Sequence, residues 1–402
     1  MATLFLIIIY MAFISLGLPD SLLGTAWPIM QIEYEAPLEM AGLISMMISA
    51  GTIISSLMSG KVIKRFGTGK VTFISCFMTA GALLGIALAP HLFWFFILAI
   101  PLGVGAGAVD SGLNNYVALH YKAHHMSWLH CFWGVGATCG PIVMSWYMVR
   151  GESWRNGYMT VAIIQFVLVI LLFITLPLWD KVALQSKQQS DAFRTDAEER
   201  EGSSDQKNLS EVQPIHIKGV KFALTAFFFY CGIEATMGLW GSSFLVNIKG
   251  LDAALAAKWV SFYYGGITVG RFITGFITMK MSNKMLIRIG QSMSLGGIVL
   301  LVLPLPNFFS LISFILIGLG CAPVFPCMIH ETPIRFGKEH SQTIIGYQMA
   351  CAYVGITFLP PLLGWIAART TIGILPFLGL IYILGMLISS EKINELMKKR
   401  QV

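Results

Sequence analysis

The sequence predicts an all-α integral membrane protein, with twelve transmembrane helices arranged as two parallel six-helix repeats. Three observations carry this expectation. Hydrophobic residues make up 56% of the chain and charged ones only 12%, a balance that water-soluble domains do not show. Apolar runs of about 20 residues, the length needed to cross a bilayer, recur from one end to the other. The second half of the chain also repeats the first at a nearly constant offset, which is more diagnostic than any single motif.

The spans are expected at 3-28, 39-61, 71-89, 93-119, 128-149, 156-179, 221-247, 255-279, 285-303, 308-334, 342-367 and 371-389. The first has no basic segment ahead of it and carries Pro19 and Asp20 in its body, so it should persist as a span instead of being cleaved as a signal peptide. Pro19 removes a backbone donor near the bilayer middle and is expected to break that helix. The fourth span contains Gly103-Val104-Gly105-Ala106-Gly107. No strand precedes this run, so close helix packing explains it better than a phosphate loop. After the sixth span the composition changes: Gln185 to Pro214 is rich in Ser, Gln, Asp and Glu and reads as a solvated linker. The expected organisation is a six-helix bundle at 1-180, a cytoplasmic linker at 181-219, a second bundle at 220-390 and a cytoplasmic tail at 391-402.

The repeat shows in three places. Asp20 and Gly24 in the first span correspond to Glu234 and Gly238 in the seventh, offset 214. Gly51 and Gly60 correspond to Gly266 and Gly275, offset 215. Val135-Gly136-Ala137-Thr138 through Pro141 corresponds to Val354-Gly355-Ile356-Thr357 through Pro360, offset 219. An even number of spans per half makes the two bundles insert in the same orientation, a transporter architecture.

The net charge of +7 does not point to nucleic acid, because the bases cluster in alternate connections. One set holds Lys61, Lys64, Arg65 and Lys70, Lys122, the linker, Lys280, Lys284, Arg288, Arg335, Lys338 and the C-terminal tail; the other holds only Arg150, Arg155, Lys249, Lys258 and Arg369. Both termini are therefore expected in the cytoplasm, with the protein multi-pass in the cell membrane. The seven cysteines all fall in expected spans without metal-ligand spacing and read as packing residues. No cofactor or metal is expected, and no Walker A, HExxH or GxSxG sequence supports enzymatic chemistry.

Three carboxylates inside spans demand an account, since a charge at the bilayer centre costs roughly 2.5 to 3.5 kcal/mol. They are Asp20, Asp110 and Glu234. Asp110 and Asn114 are four apart on one helix face with Asn115 beside them, a grouping of acceptor and donors suited to neighbouring hydroxyls. Arg271 is the one base placed deep in a span, and it reads either as a partner of an acid or as a pin between helices. Glu331 is expected to pair with nearby Lys280, Lys284 or Arg335. His130, Trp133, Trp240, Tyr263, Tyr264, Tyr347 and Gln348 are candidates to touch a solute, the aromatics by stacking. Trp27, Trp154 and Trp179, near span ends, fit interface anchors better.

The connection after the second span, Gly60-Lys61-Val62-Ile63-Lys64-Arg65-Phe66-Gly67, resembles the G-x-x-x-D-R-x-G-type motif of the major facilitator superfamily, with Lys64 where that family usually has aspartate. Lys64 and Arg65 are read as structural charges. A narrower resemblance is to the L-fucose permease branch of sugar-proton symporters. It rests on Pro19-Asp20-Ser21, on Asp110 to Asn115, on Tyr263-Tyr264-Gly265-Gly266 with Gly270-Arg271-Phe272, on Phe325-Pro326, and on Pro360-Pro361 with Gly364-Trp365-Ile366-Ala367. The branch has glutamate where Asp110 stands, and amides where His130 and Trp133 stand. The resemblance implies the major facilitator fold and proton-coupled symport of a monosaccharide or related polyol by a monomer, with Asp20 and Asp110 in binding and proton coupling. Glu234 joins them through the internal repeat. The alternative left open by the residues is a proton-driven exporter of cationic amphiphiles.

Overall fold

The computed structural model describes residues 2–120, 123–198 and 214–400. Lys122, residues 199–213 of the expected linker and the last two residues of the tail lie outside this description. Fourteen α-helices make up the described chain. The first span is two of them, α1 (Ala2–Asp20) and α2 (Leu22–Glu33), divided at Ser21. Five follow in the first half: α3 (Met40–Phe66), α4 (Thr68–Leu88), α5 (Phe93–His120), α6 (Ala123–Val149) and α7 (Trp154–Glu198). The second half contains α8 (Val220–Asn247), α9 (Ala253–Ile277), α10 (Asn283–Val302), α11 (Asn307–Cys321), α12 (Val324–Phe336), α13 (Lys338–Arg369) and α14 (Leu375–Arg400). Helices α11 and α12 together form the tenth span, so the chain crosses twelve times and both termini lie on one face. Helix α7 continues to Glu198, past the expected end of the sixth span, because Ala, Gln, Lys and Glu sustain a helix as readily in water as apolar residues do in lipid.

The break in the first span follows from Pro19. Without an N–H it cannot bond the carbonyl four residues back, that of Ser15. Gln165 of α7 fills the place, donating Nε2 to the Ser15 oxygen at 2.5 Å while its own Oε1 accepts from Thr79 of α4 at 2.8 Å. A freed backbone acceptor inside a membrane protein needs such a partner, since no lipid atom can donate to it.

The repeat is visible in the packing. Helix pairs α1–α6, α3–α5, α4–α5 and α4–α7 of the first half recur as α8–α13, α9–α11, α10–α11 and α10–α14 of the second. The offsets hold to the residue. A Cβ on Gly103 would sit 2.1 Å from the Ile48 oxygen, and one on Gly318 would sit 2.1 Å from the Tyr263 oxygen. Gly136 lies against the Ile14 carbonyl as Gly355 lies against that of Phe228, so these glycines set the helix spacing.

Ten spans meet the hydropathy expected of a membrane crossing, and α6 and α9 fall below it. Those two pack on each other across the halves, so part of their surface faces protein instead of lipid. Trp27, Trp154 and Trp179 depart from the expected interface role. All three are buried: Trp154 donates to Glu33 at 2.5 Å, and the missing side chain of Gly69 makes room for Trp179. The exposed indoles near span ends are Trp94, Trp128, Trp146 and Trp365, the last two stacked under Arg150 and Arg369 one turn on.

Candidate functional site

Between the halves lies a cavity of about 340 Å³, within the lower range of small-molecule sites. It is lined from both bundles: Asp20, Ser49, Asp110, His130 and Trp133 from the first, and Tyr230, Glu234, Tyr264, Arg271, Phe325 and Tyr353 from the second. All three intramembrane carboxylates thus face one space.

Each acid has different company. Asp20, at the end of α1, is exposed to the cavity and accepts a hydrogen bond from Trp133 Nε1 at 2.8 Å. Asp110 accepts from Asn114 Nδ2 at 2.9 Å, one turn along α5, and from Tyr353 of α13 at 3.5 Å. Glu234 is ion-paired: Arg271 Nη2 approaches its Oε1 at 3.3 Å, and Tyr230 donates to its other oxygen. The side chains of this pair are 11% and 16% exposed, so the charges neutralise each other largely out of water. The Arg271 guanidinium also lies 5.3 Å from the Trp133 ring centroid, and Tyr264 meets that ring edge-on.

Several candidate residues lie elsewhere. Trp240 is fully buried against Gly42 and Gly364 and donates to the Pro360 oxygen at 2.8 Å, so it is a packing residue of the closed face and not a cavity wall. Tyr263 is buried and donates to the backbone oxygen of Glu234 at 3.0 Å, fixing the acid's helix instead of reaching the space. Gln348 is buried and accepts from Thr332 at 2.9 Å. Tyr347 is not among the lining residues, and the side chain of Asn115 lies outside the described part. Glu331 pairs with Arg335 at 3.0 Å and accepts from Asn283, on the terminal face. Lys64 and Arg65 are exposed at the end of α3, where Gly67 turns the chain with a φ of 83°. Tyr230 and Tyr353 were not anticipated. The first stands one turn from Glu234, which is a readable signal; the second is 243 residues from Asp110, and nothing local announces it.

The halves meet on the face opposite the termini. Gly24 and Gly238, the repeat-related glycines one turn beyond Asp20 and Glu234, lie against each other: a Cβ on Gly24 would fall 2.4 Å from the Gly238 oxygen. Ser242 donates to the Thr25 oxygen at 3.3 Å and Ser145 to the Ala254 oxygen at 2.8 Å, joining α8 to α2 and α6 to α9 on the same side. Among the described residues no cluster of three or more His, Cys, Asp or Glu could hold a metal ion. The cavity presents carboxylates, a guanidinium, hydroxyls and one imidazole among aromatic rings, a lining able to hydrogen-bond a polar solute.

Similarity to known proteins agrees with this architecture. A glucose/mannose transporter of Bacillus subtilis is 22% identical over 370 residues, which cover 90% of this chain and 88% of that one. A putative glucose/galactose transporter of Helicobacter pylori is 23% identical over 388 residues, covering 90% and 87%. The crystal structure of a D-xylose-proton symporter superposes with a TM-score of 0.75 at 14% identity, over 97% of this chain and 96% of the other, a match of fold. With residues 9–360 matching the model of the Major Facilitator Superfamily, the chain belongs to that superfamily of transporters, which are not enzymes.

Proposed function

We propose that the protein carries a monosaccharide or related polyol together with a proton, by alternating access. The observation that carries this reading is the charge balance of the cavity. Glu234 has its arginine, whereas Asp20 and Asp110 form no ion pair among the described residues and face the same space. An acid without a cation, inside the membrane, marks a functional site, and uptake of a proton is the simplest way to neutralise it there. The relatives described as glucose/mannose and glucose/galactose transporters, and the xylose-proton symporter fold, support a sugar as the co-substrate.

The geometry supports a working cycle of this kind. With the halves in contact opposite the termini, the acids face the side of the termini. The base-rich connections lie on that side too, so the positive-inside bias makes this the cytoplasm-facing state of a cell-membrane protein. In the outward state a proton neutralises Asp20 or Asp110. Sugar hydroxyls then bond Asp110 with Asn114, Ser49 and Tyr353; rocking of the halves delivers both passengers inward. One charge moving through 100 mV supplies about 2.3 kcal/mol, enough for roughly fiftyfold accumulation. Arg271 lies over the Trp133 ring and Tyr264 meets it edge-on, and Phe13 and Phe325 line the same cavity as further candidates to touch the sugar ring.

The test is counterflow of a panel of labelled sugars in proteoliposomes, repeated with an imposed pH gradient. Exchange of at least one hexose or pentose, and uphill uptake driven by the gradient, are expected. No exchange of any sugar, with gradient-dependent expulsion of a cationic dye, would establish the exporter instead.

A further inference from the structure

We infer that Trp133 is a positioning residue for coupling: its indole touches both the Asp20 carboxylate and the Arg271 guanidinium, and the ring under the guanidinium keeps the arginine on Glu234. The inference rests on the proton-symport reading above and adds to it the device that decides which acid is free to take the proton.

Asp20 and Glu234 are repeat-related, yet the cavity offers them one cation. Position 271 of the second half corresponds at offset 215 to Ser56 of the first, whose hydroxyl donates to the Gly107 oxygen at 3.1 Å. Arg271 therefore has two acids within the same cavity and only one contact of 3.3 Å to Glu234, not a bidentate fork. Trp133 touches both contenders. Its N–H is 2.8 Å from Asp20, and its ring lies 5.3 Å from the guanidinium carbon, in cation–π range. The backbone that carries the indole is packed from both halves. A Cβ on Gly17 of α1 would fall 2.0 Å from the Trp133 oxygen, and one on Gly134 would fall 2.4 Å from Thr268 of α9. Because α6 and α9 belong to different halves, rocking changes the relation of this ring to the arginine, and with it the company of Asp20.

Shrinking the ring gives the cation a choice of acids. Paired with Arg271, Asp20 keeps its carboxylate form through the cycle, and sugar crosses without its proton. The steady-state accumulation ratio under a fixed pH gradient reads this directly, since slower turnover from a packing defect leaves the ratio unchanged. Trp133→Ala is expected to exchange sugar in counterflow at a reduced rate but to accumulate none above equilibration. Trp133→Phe, which keeps a ring beside the guanidinium, is expected to accumulate. In Glu234→Gln/Arg271→Gln, where no guanidinium can capture Asp20, adding Trp133→Ala is expected not to lower the ratio. Wild-type accumulation by Trp133→Ala, loss of it in Trp133→Phe, or an equal fall in the background lacking the pair would overturn the inference. If that background proves inactive, the contrast between Phe and Ala decides. Absence of sugar exchange by the unaltered protein would overturn the symport reading itself.

Discussion

Glu234 and Asp20 occupy equivalent places in the two repeats and have opposite electrostatic fates. Glu234 is paired in a site where both side chains are mostly out of water. Removing one partner of a buried pair leaves a charge that nothing compensates, at roughly 3 to 5 kcal/mol, whereas exposed pairs contribute about 0 to 1. Arg271→Gln is therefore expected to lower the unfolding midpoint in detergent well below that of Arg288→Gln, whose partner Glu391 sits at the surface with both side chains more than a third exposed. Glu234→Gln added to Arg271→Gln should recover part of the loss. Equal midpoints for the two single variants would mean that water or lipid headgroups screen the Glu234 pair. Asp20, by contrast, accepts one neutral donor and no cation among the described residues, so Asp20→Asn removes no ion pair. Its expected effect is on coupling, with sugar exchange retained in part and gradient-driven accumulation diminished.

Within an element, the clearest dependence is that of α1 on α7 through Pro19. The Ser15 oxygen, deprived of its helical donor, is bonded by Gln165. Gln165→Leu leaves the Ser15 acceptor without its donor, while the Thr79 hydroxyl keeps its bond to the Cys76 oxygen at 3.0 Å, and is expected to destabilise by about 1 to 3 kcal/mol. In Pro19→Ala the restored N–H at position 19 supplies the helical bond, so Gln165→Leu should cost less there. A thermal-melt cycle over the four proteins checks this, and additive effects would sever the link. The proline was readable as a helix breaker; its partner was not, because a glutamine inside an apolar span shows only that some bond exists, not where. The same limit separates the site residues. Asp20, Asp110 and Glu234 announce themselves energetically, and all three line the cavity. Trp240 and Gln348 looked equally suited to a solute, but a polar tip is satisfied as well by the Pro360 carbonyl or by Thr332. Tyr353 gave no signal, since an aromatic in an apolar helix has no energetic anomaly and its approach to Asp110 depends on how two bundles dock.

The whole molecule is two rigid bundles joined by contacts concentrated at one face. Within each bundle, glycines bring backbones together so closely that no side chain fits, as at Gly103 against Ile48 and Gly318 against Tyr263, and such interfaces do not part without loss of packing. Between bundles the contacts on the closed face are fewer in kind: Gly24 on Gly238, Gly42 on Pro361, and the hydroxyl bonds from Ser242 and Ser145. Alternating access requires these to separate while the intrabundle ones hold. Ser145 on α6 and Ala254 on α9 touch directly, so Ser145→Cys/Ala254→Cys places two thiols across the seam. Made with the seven native cysteines replaced by serine and joined by a short reducible cross-linker, the double variant is expected to lose counterflow, to keep binding labelled sugar in detergent, and to regain transport on reduction, with each single-cysteine variant unaffected by the reagent. Loss of binding along with transport would mean that the link distorts the cavity. Undiminished counterflow in the cross-linked protein would mean that α6 and α9 stay together throughout the cycle, and that the bundles hinge on this seam and open along α2 and α8 alone.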